Sequence, residues 1–338
     1  MLKWFASALA AAGLAAALAA QAPAPAPLAP VRAELQQGRY TEAAAALKRY
    51  LQVHPGDNEA ELLLAAADYG LHDYAGALPA LQAVLAAAPA NHEAVKLMGL
   101  DLFFLGRPQA AIPYLKQVRA WMPGQVDLQY LLAVCQLDAG DAAAARASAA
   151  AMLGVDARSP GAYVALAKVL LRQQMETQAA DQLRRGLALD PRLPLAHFLL
   201  AEIEITHAQY AAAIADLKQE IALNPVFPKA YYRLGDALYR SGDSAQAQAY
   251  LSRAIWLDPT YSGPYILSAK ILLEQKDAEL AERMLSRAIS LDPNNYDAHY
   301  LRGRALAVLH RDREAQREFA LSNSLRPQAE GDFGADVR

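Results

Sequence analysis

The sequence holds a single cysteine, Cys135, so no disulfide can form within the chain and the fold must stand without covalent cross-links. Cys135 lies in the apolar run LQYLLAVCQL, where a small core residue is expected rather than a reactive thiol. The seven histidines form no His-x-x-x-His pair and no Cys–His cluster, so no metal site can be read locally. A Gly-rich phosphate loop and a Gly-x-Ser-x-Gly elbow are also missing. Charge of either sign is scarce as a block: 32 Lys and Arg stand against 35 Asp and Glu, spread along the chain for a net charge of -3. A nucleic-acid or anionic-membrane binder needs a concentrated basic face, and none is written here. The expectation is a non-enzymatic protein with no cofactor, no metal and no nucleic-acid partner.

What is abundant is apolar surface, at 54% hydrophobic residues. Part of it is set apart at the start. Met1, Leu2 and Lys3 give a short positive start, Trp4 to Ala20 is uncharged and apolar, and Ala17, Leu18 and Ala19 offer a small-residue cleavage pattern. The reading is a secretory signal peptide over 1–19, followed by an Ala/Pro-rich extended linker over 20–30. No twin-Arg pair and no nearby cysteine are present, which points to the general export route without lipid attachment. The expected location is periplasmic or secreted, and the Ala-rich composition favours a bacterial source. The alternative is an uncleaved segment anchoring the protein in the inner membrane and facing the periplasm, the one case in which membrane contact is expected.

The remainder is periodic. Pro55, Pro89, Pro123, Pro191, Pro225, Pro259, Pro293 and Pro327 are spaced by 34 residues, with Ala157 in the one skipped slot. Twelve residues before each mark stands alanine, from Ala43 and Ala77 through to Ala281 and Ala315, in nine copies of nine. Eight before it comes Leu47, Leu81, Leu115, Ala149, Leu183, Leu217, Leu251, Leu285 or Phe319. Twenty-four before it comes a small residue: Ala65, Gly99, Ala133, Ala167, Ala201, Gly235, Ala269 or Gly303. Apolar residues recur three, four and seven apart on either side of a column containing Gly38, Gly106, Gly140 and Gly242, which reads as helix, turn, helix. Small residues allow close helix approach, and the leucine column is expected to fill the layer toward the next repeat.

With the small residue of the first helix, the alanine and large apolar residue of the second, and the terminal proline in phase, as in Gly235, Ala247, Leu251 and Pro259, the chain resembles the tetratricopeptide repeat family. An aromatic follows the turn at Tyr40, Tyr74 and Tyr210, and another opens the first helix at Tyr163, Tyr231 and Tyr265, with His197 and His299 in that place elsewhere. The resemblance implies an all-α, right-handed solenoid of stacked antiparallel helix pairs: a partial N-terminal repeat over 31–57, eight repeats over 58–329 and a flexible tail over 330–338, forming one elongated domain. Ala157 in place of proline makes 154–161 the expected bend, and the polar last helix suits a terminus facing water.

The resemblance further implies a protein or peptide partner, held as an extended or helical segment in a concave groove lined by the first helices. The groove set would be Lys96, Phe103, Tyr130, Lys168, Phe198, Glu202, Tyr232, Asp236, Tyr239, Arg240, Lys270, Tyr300 and Arg304. Lys168 with Glu202 and Asp236 with Lys270 are expected to pair, leaving Arg304 as the unpaired cation beside Tyr300 and Tyr232. A second reading makes the chain a structural subunit of an oligomeric envelope, secretion or polysaccharide-export complex, with self-association left open.

Overall fold

The computed structural model describes residues 28–326, so the expected signal peptide, most of the linker and the tail lie outside the described residues. The described residues form two compact units that divide between Met175 and Glu176. Unit 1 contains α1 (Ala29–Gln36), α2 (Tyr40–Val53), α3 (Asn58–Gly70), α4 (Tyr74–Ala87), α5 (His92–Phe104), α6 (Pro108–Trp121), α7 (Val126–Asp138), α8 (Ala142–Met152) and α9 (Gly161–Arg172). Unit 2 contains α10 (Glu176–Leu189), α11 (Ala196–Thr206), α12 (Tyr210–Leu223), α13 (Pro228–Arg240), α14 (Ser244–Leu257), α15 (Ser262–Glu274), α16 (Ala278–Leu291), α17 (Tyr296–Val308) and α18 (Asp312–Leu325). There is no strand among the described residues, and the fold is all-α, with consecutive helices packed as pairs. No helix among the described residues is long and apolar enough to cross a membrane.

One sequence expectation shifts at the start of the first repeat. The linker was expected to stay extended to Pro30, yet α1 begins at Ala29 with Pro30 in its first turn. A first-turn proline lacks only an N–H that would have no intrahelical partner anyway, so it starts a helix readily. The connection over 154–161, where a bend or hinge was expected, is irregular, with Gly154 at φ 64, and the division between compact units falls after α9, at Met175.

The turn inside each pair is the most regular feature of the chain. Gly38, His72, Gly106, Gly140, Gln174, Ala208, Gly242, Lys276 and His310 lie 34 residues apart and all have φ between 56 and 94. The next residue's N–H reaches back to a carbonyl five residues earlier at 2.7–2.9 Å, from Arg39 to Glu34 through to Arg311 to Leu306. This left-handed closure satisfies carbonyls that the end of a helix leaves orphaned. Where that next residue is Asp73, Asp141, Asp243 or Asp277, its carboxylate also accepts the N–H three residues on, at 2.9–3.0 Å, and starts the second helix.

Within a pair, the small column meets the large one. A Cβ added to Gly235 would lie 2.8 Å from Leu251 Cγ, and one added to Gly303 would lie 2.6 Å from the Phe319 ring. These side chains press on the small residue of their own pair. Successive pairs are tied by the residue that opens the first helix. Tyr231 donates to Pro225 O and Tyr265 to Pro259 O, each at 3.2 Å, and His299 Nε2 donates to Pro293 O at 3.0 Å. Gln129 does the same to Pro123 O.

One column is broken by charge. Ala67, Cys135, Val169, Ile203, Ala237, Ile271 and Ala305 are equivalent to Asp101, which is fully buried with neither carboxylate oxygen hydrogen-bonded among the described residues. Burial, with the nearby charges of Asp68 and Asp73, pushes its carboxyl up to about 8.

Two outcomes are expected on stability. Five of the nine left-handed turn residues carry a side chain that this backbone disfavours, so Lys276→Gly should stabilise unit 2 by about 0.5–1 kcal/mol and Gly242→Ala should destabilise it by about 1 kcal/mol in urea titrations. Asp101 keeps its proton in the folded state up to about pH 8, whereas the unfolded chain loses it near pH 4. Its contribution to the stability of unit 1 is therefore greatest below about pH 4 and falls by about 1.4 kcal/mol per pH unit up to about pH 8. Asp101→Ala should flatten that slope and raise stability by about 4 kcal/mol at neutral pH, as read by denaturation across pH.

Candidate functional site

In each unit the first helices of neighbouring pairs lie against one another more closely than the second helices do, which puts the first helices on the inner side of the stack. In unit 2 this brings Phe198 and Glu202 on α11, Tyr232, Asp236, Tyr239 and Arg240 on α13, Lys270 on α15, and Tyr300 and Arg304 on α17 onto successive inner helices.

Arg233 lies at the centre of the α11–α13 part of this surface. Its Nε sits 2.6 Å from Glu202 Oε1 and its Nη2 donates to Oε2 at 2.7 Å, a two-pronged grip between the helices. Asp236 is buried and accepts from Arg240 Nε at 2.8 Å, with Arg233 Nη1 at 3.9 Å. The expected pair of Asp236 with Lys270 is therefore corrected: Arg240 reaches back one helical turn to Asp236, and Arg233 bridges adjacent helices to Glu202. Lys270 instead lies over the Tyr239 ring, 5.1 Å from its centroid. The Tyr239 hydroxyl donates to Glu274 on α15, and burial together with this carboxylate pushes the phenol up to about 12.

Aromatic rings frame these charges. Tyr232 packs edge-on against Tyr261 at 5.2 Å, and Phe198 against Phe227 at 4.9 Å. Tyr300 is 49% exposed and touches Phe319, while Arg304 is exposed and forms no ion pair among the described residues.

The unit 1 members of the expected groove are more engaged in structure. Lys96 Nζ lies 3.3 Å from Glu93, and the Phe103 ring sits against Phe104, which stacks on Tyr74 at 4.7 Å. Tyr130 accepts from Gln173 Nε2 at 2.5 Å and lies beneath the Arg172 guanidinium at 5.5 Å. Lys168 is half-buried. The described residues hold no cluster of three His, Cys, Asp or Glu arranged for a metal ion.

Two family models described as tetratricopeptide repeat match residues 34–100 and 105–153, and residues 204–262 and 266–321, which together exceed half of the chain. The chain belongs to the tetratricopeptide repeat family. The longest uncovered stretch between the matches, 154–203, holds the irregular connection over 154–161 and the division between units. No curated protein matches the sequence. Solved structures of similar fold include pilF of Pseudomonas aeruginosa, at 21% identity over 60% of this chain and 93% of that one with a TM-score of 0.49. MamA matches at 21% identity over 47% of this chain and 93% of that one, with a TM-score of 0.44. YrrB, described as a tetratricopeptide repeat protein with an unusual peptide-binding site, matches at 18% identity over 50% of this chain and 87% of its own, with a TM-score of 0.43. As a tetratricopeptide repeat protein, the chain is a protein–protein interaction scaffold.

Arg233 was absent from the sequence-derived groove, although its column carried the signal. Leu63, Leu97, Leu131, Ala165, Leu199, Leu267 and Leu301 occupy the equivalent sites, and Arg233 is the one charged member of a column that tetratricopeptide packing fills with aliphatic residues. Replacing it by the column residue, Arg233→Leu, strands Glu202 and should cost about 1–2 kcal/mol of unit 2 stability. Glu202→Leu in the same background should recover most of that loss in urea denaturation, because the carboxylate then no longer lacks a partner.

Proposed function

We propose that this protein is an exported, non-enzymatic scaffold that holds an extended or helical peptide segment of a partner protein against the inner face of unit 2, in the cell envelope of a bacterium. The observation that carries the choice of face is the set of exposed or half-exposed Tyr232, Lys270, Tyr300 and Arg304 on consecutive inner helices. Rings supply contact area with few rotatable bonds, and charges fix the register of a bound chain. In unit 1 the equivalent Lys96 and Tyr130 are held by intramolecular contacts, so less of that face is available to a partner. Export rests on the apolar start followed by a small-residue cleavage pattern.

The test is capture of partners from envelope extract by the full chain and by an Arg304→Glu, Tyr232→Ala variant. The variant should recover the partner at least about tenfold less efficiently while retaining its helical circular dichroism signal. Because Tyr232 packs on Tyr261, the more exposed Tyr300→Ala paired with Arg304→Glu provides a second measurement in which folding is not at issue. Undiminished recovery by both variants would remove this face as the binding surface.

A further inference from the structure

The inner face of unit 2 is ruled in rows four residues apart: Tyr232, Asp236 and Arg240 on α13, Ile266, Lys270 and Glu274 on α15, and Tyr300, Arg304 and Val308 on α17. Its carboxylates are already engaged within the protein. Glu202 is gripped by Arg233, Asp236 is held by Arg240, and Glu274 accepts from the Tyr239 hydroxyl. Two cations of the middle row remain. Lys270 and Arg304 are both exposed and neither has a carboxylate partner among the described residues. Each stands beside a ring, Lys270 over Tyr239 at 5.1 Å and Arg304 one helical turn beyond the exposed Tyr300. A row of exposed cations without ion-pair partners is complementary to acid on the partner.

The spacing narrows the partner's shape. α15 and α17 touch directly, and helices in contact have axes about 8–10 Å apart. A polyproline II chain returns to the same face every three residues, after about 9.3 Å. Surfaces lined by aromatic rings are the kind on which such chains dock with little entropy to lose.

We propose that unit 2 recognises an acidic, extended partner segment in polyproline II conformation, with carboxylates at positions i and i+3 seated on Lys270 and Arg304. This rests on the reading that the inner face of unit 2 is the binding surface.

The probe is a set of fluorescein-labelled peptides titrated with the full chain and followed by anisotropy. Pro-Glu-Pro-Pro-Glu-Pro carries the two acids three apart; its counterparts carry Gln or Lys at those places, and an Ala-rich helical peptide carries two Glu seven apart. The acidic proline-rich peptide is expected to bind at least about tenfold more tightly than the Gln peptide, to lose affinity with added salt, and to weaken about tenfold with Lys270→Glu or Arg304→Glu. Both side chains are exposed, so neither variant should shift the thermal midpoint. Equal binding of the Gln or Lys peptide, tighter binding of the helical peptide, no binding at all, or unchanged affinity in both charge variants would overturn the proposal. Envelope capture separates the two levels. A partner lost with Tyr300→Ala but kept with the Lys270→Glu, Arg304→Glu double variant leaves the binding face standing and overturns the acidic motif. A partner kept by all of these variants overturns both.

Discussion

In most pairs the second helix sets a leucine or phenylalanine against a first-helix residue with little or no side chain, and the closeness of that contact shapes the repeat. At Gly235 and Gly303 there is no room for a Cβ against Leu251 and Phe319. Helices this close can be joined by a very short connection, and the backbone reverses at a single left-handed residue at all nine turns.

The periodic part of this arrangement was legible because packing repeats: alanine twelve residues before each mark, the small column and the terminal proline each report a contact made in copy after copy. The nine left-handed turns were only partly legible. Four are glycine, and His72, Gln174, Ala208, Lys276 and His310 give no sign of the conformation they adopt, since the surrounding helices impose it against their own preference. The division after Met175 was invisible, because Gln174 and Met175 fall within a turn that looks like every other.

The site was legible in outline and wrong in its pairings. Equivalent positions in successive repeats suggested that charges in one column answer each other, whereas the structure satisfies Glu202 and Asp236 with Arg233 and Arg240 from different columns. Residues that break a column proved more informative than those that define one. Arg233 departs from an aliphatic column and becomes the centre of an ion-pair network, and Asp101 departs from an apolar one and becomes a buried acid without a hydrogen-bond partner among the described residues. Arg302 shows the same behaviour: it stands where Leu64, Met98, Leu132, Leu166, Leu200, Leu234 and Ser268 stand elsewhere, and it binds both Glu282 and Glu318.

The hydrogen bonds from Tyr231, Tyr265 and His299 to the preceding proline carbonyls have a consequence for how the stack comes apart. The carbonyl closing one pair is satisfied by the residue opening the next, so a pair is chemically complete only while its successor is folded. Loss of a terminal pair strips its neighbour of a partner as well as of covered apolar surface, which couples nearest neighbours as in a one-dimensional chain of switches. Unfolding that begins at Leu325 would thus advance in steps of a whole repeat, and the pair carrying Tyr300 and Arg304 would be the first to go.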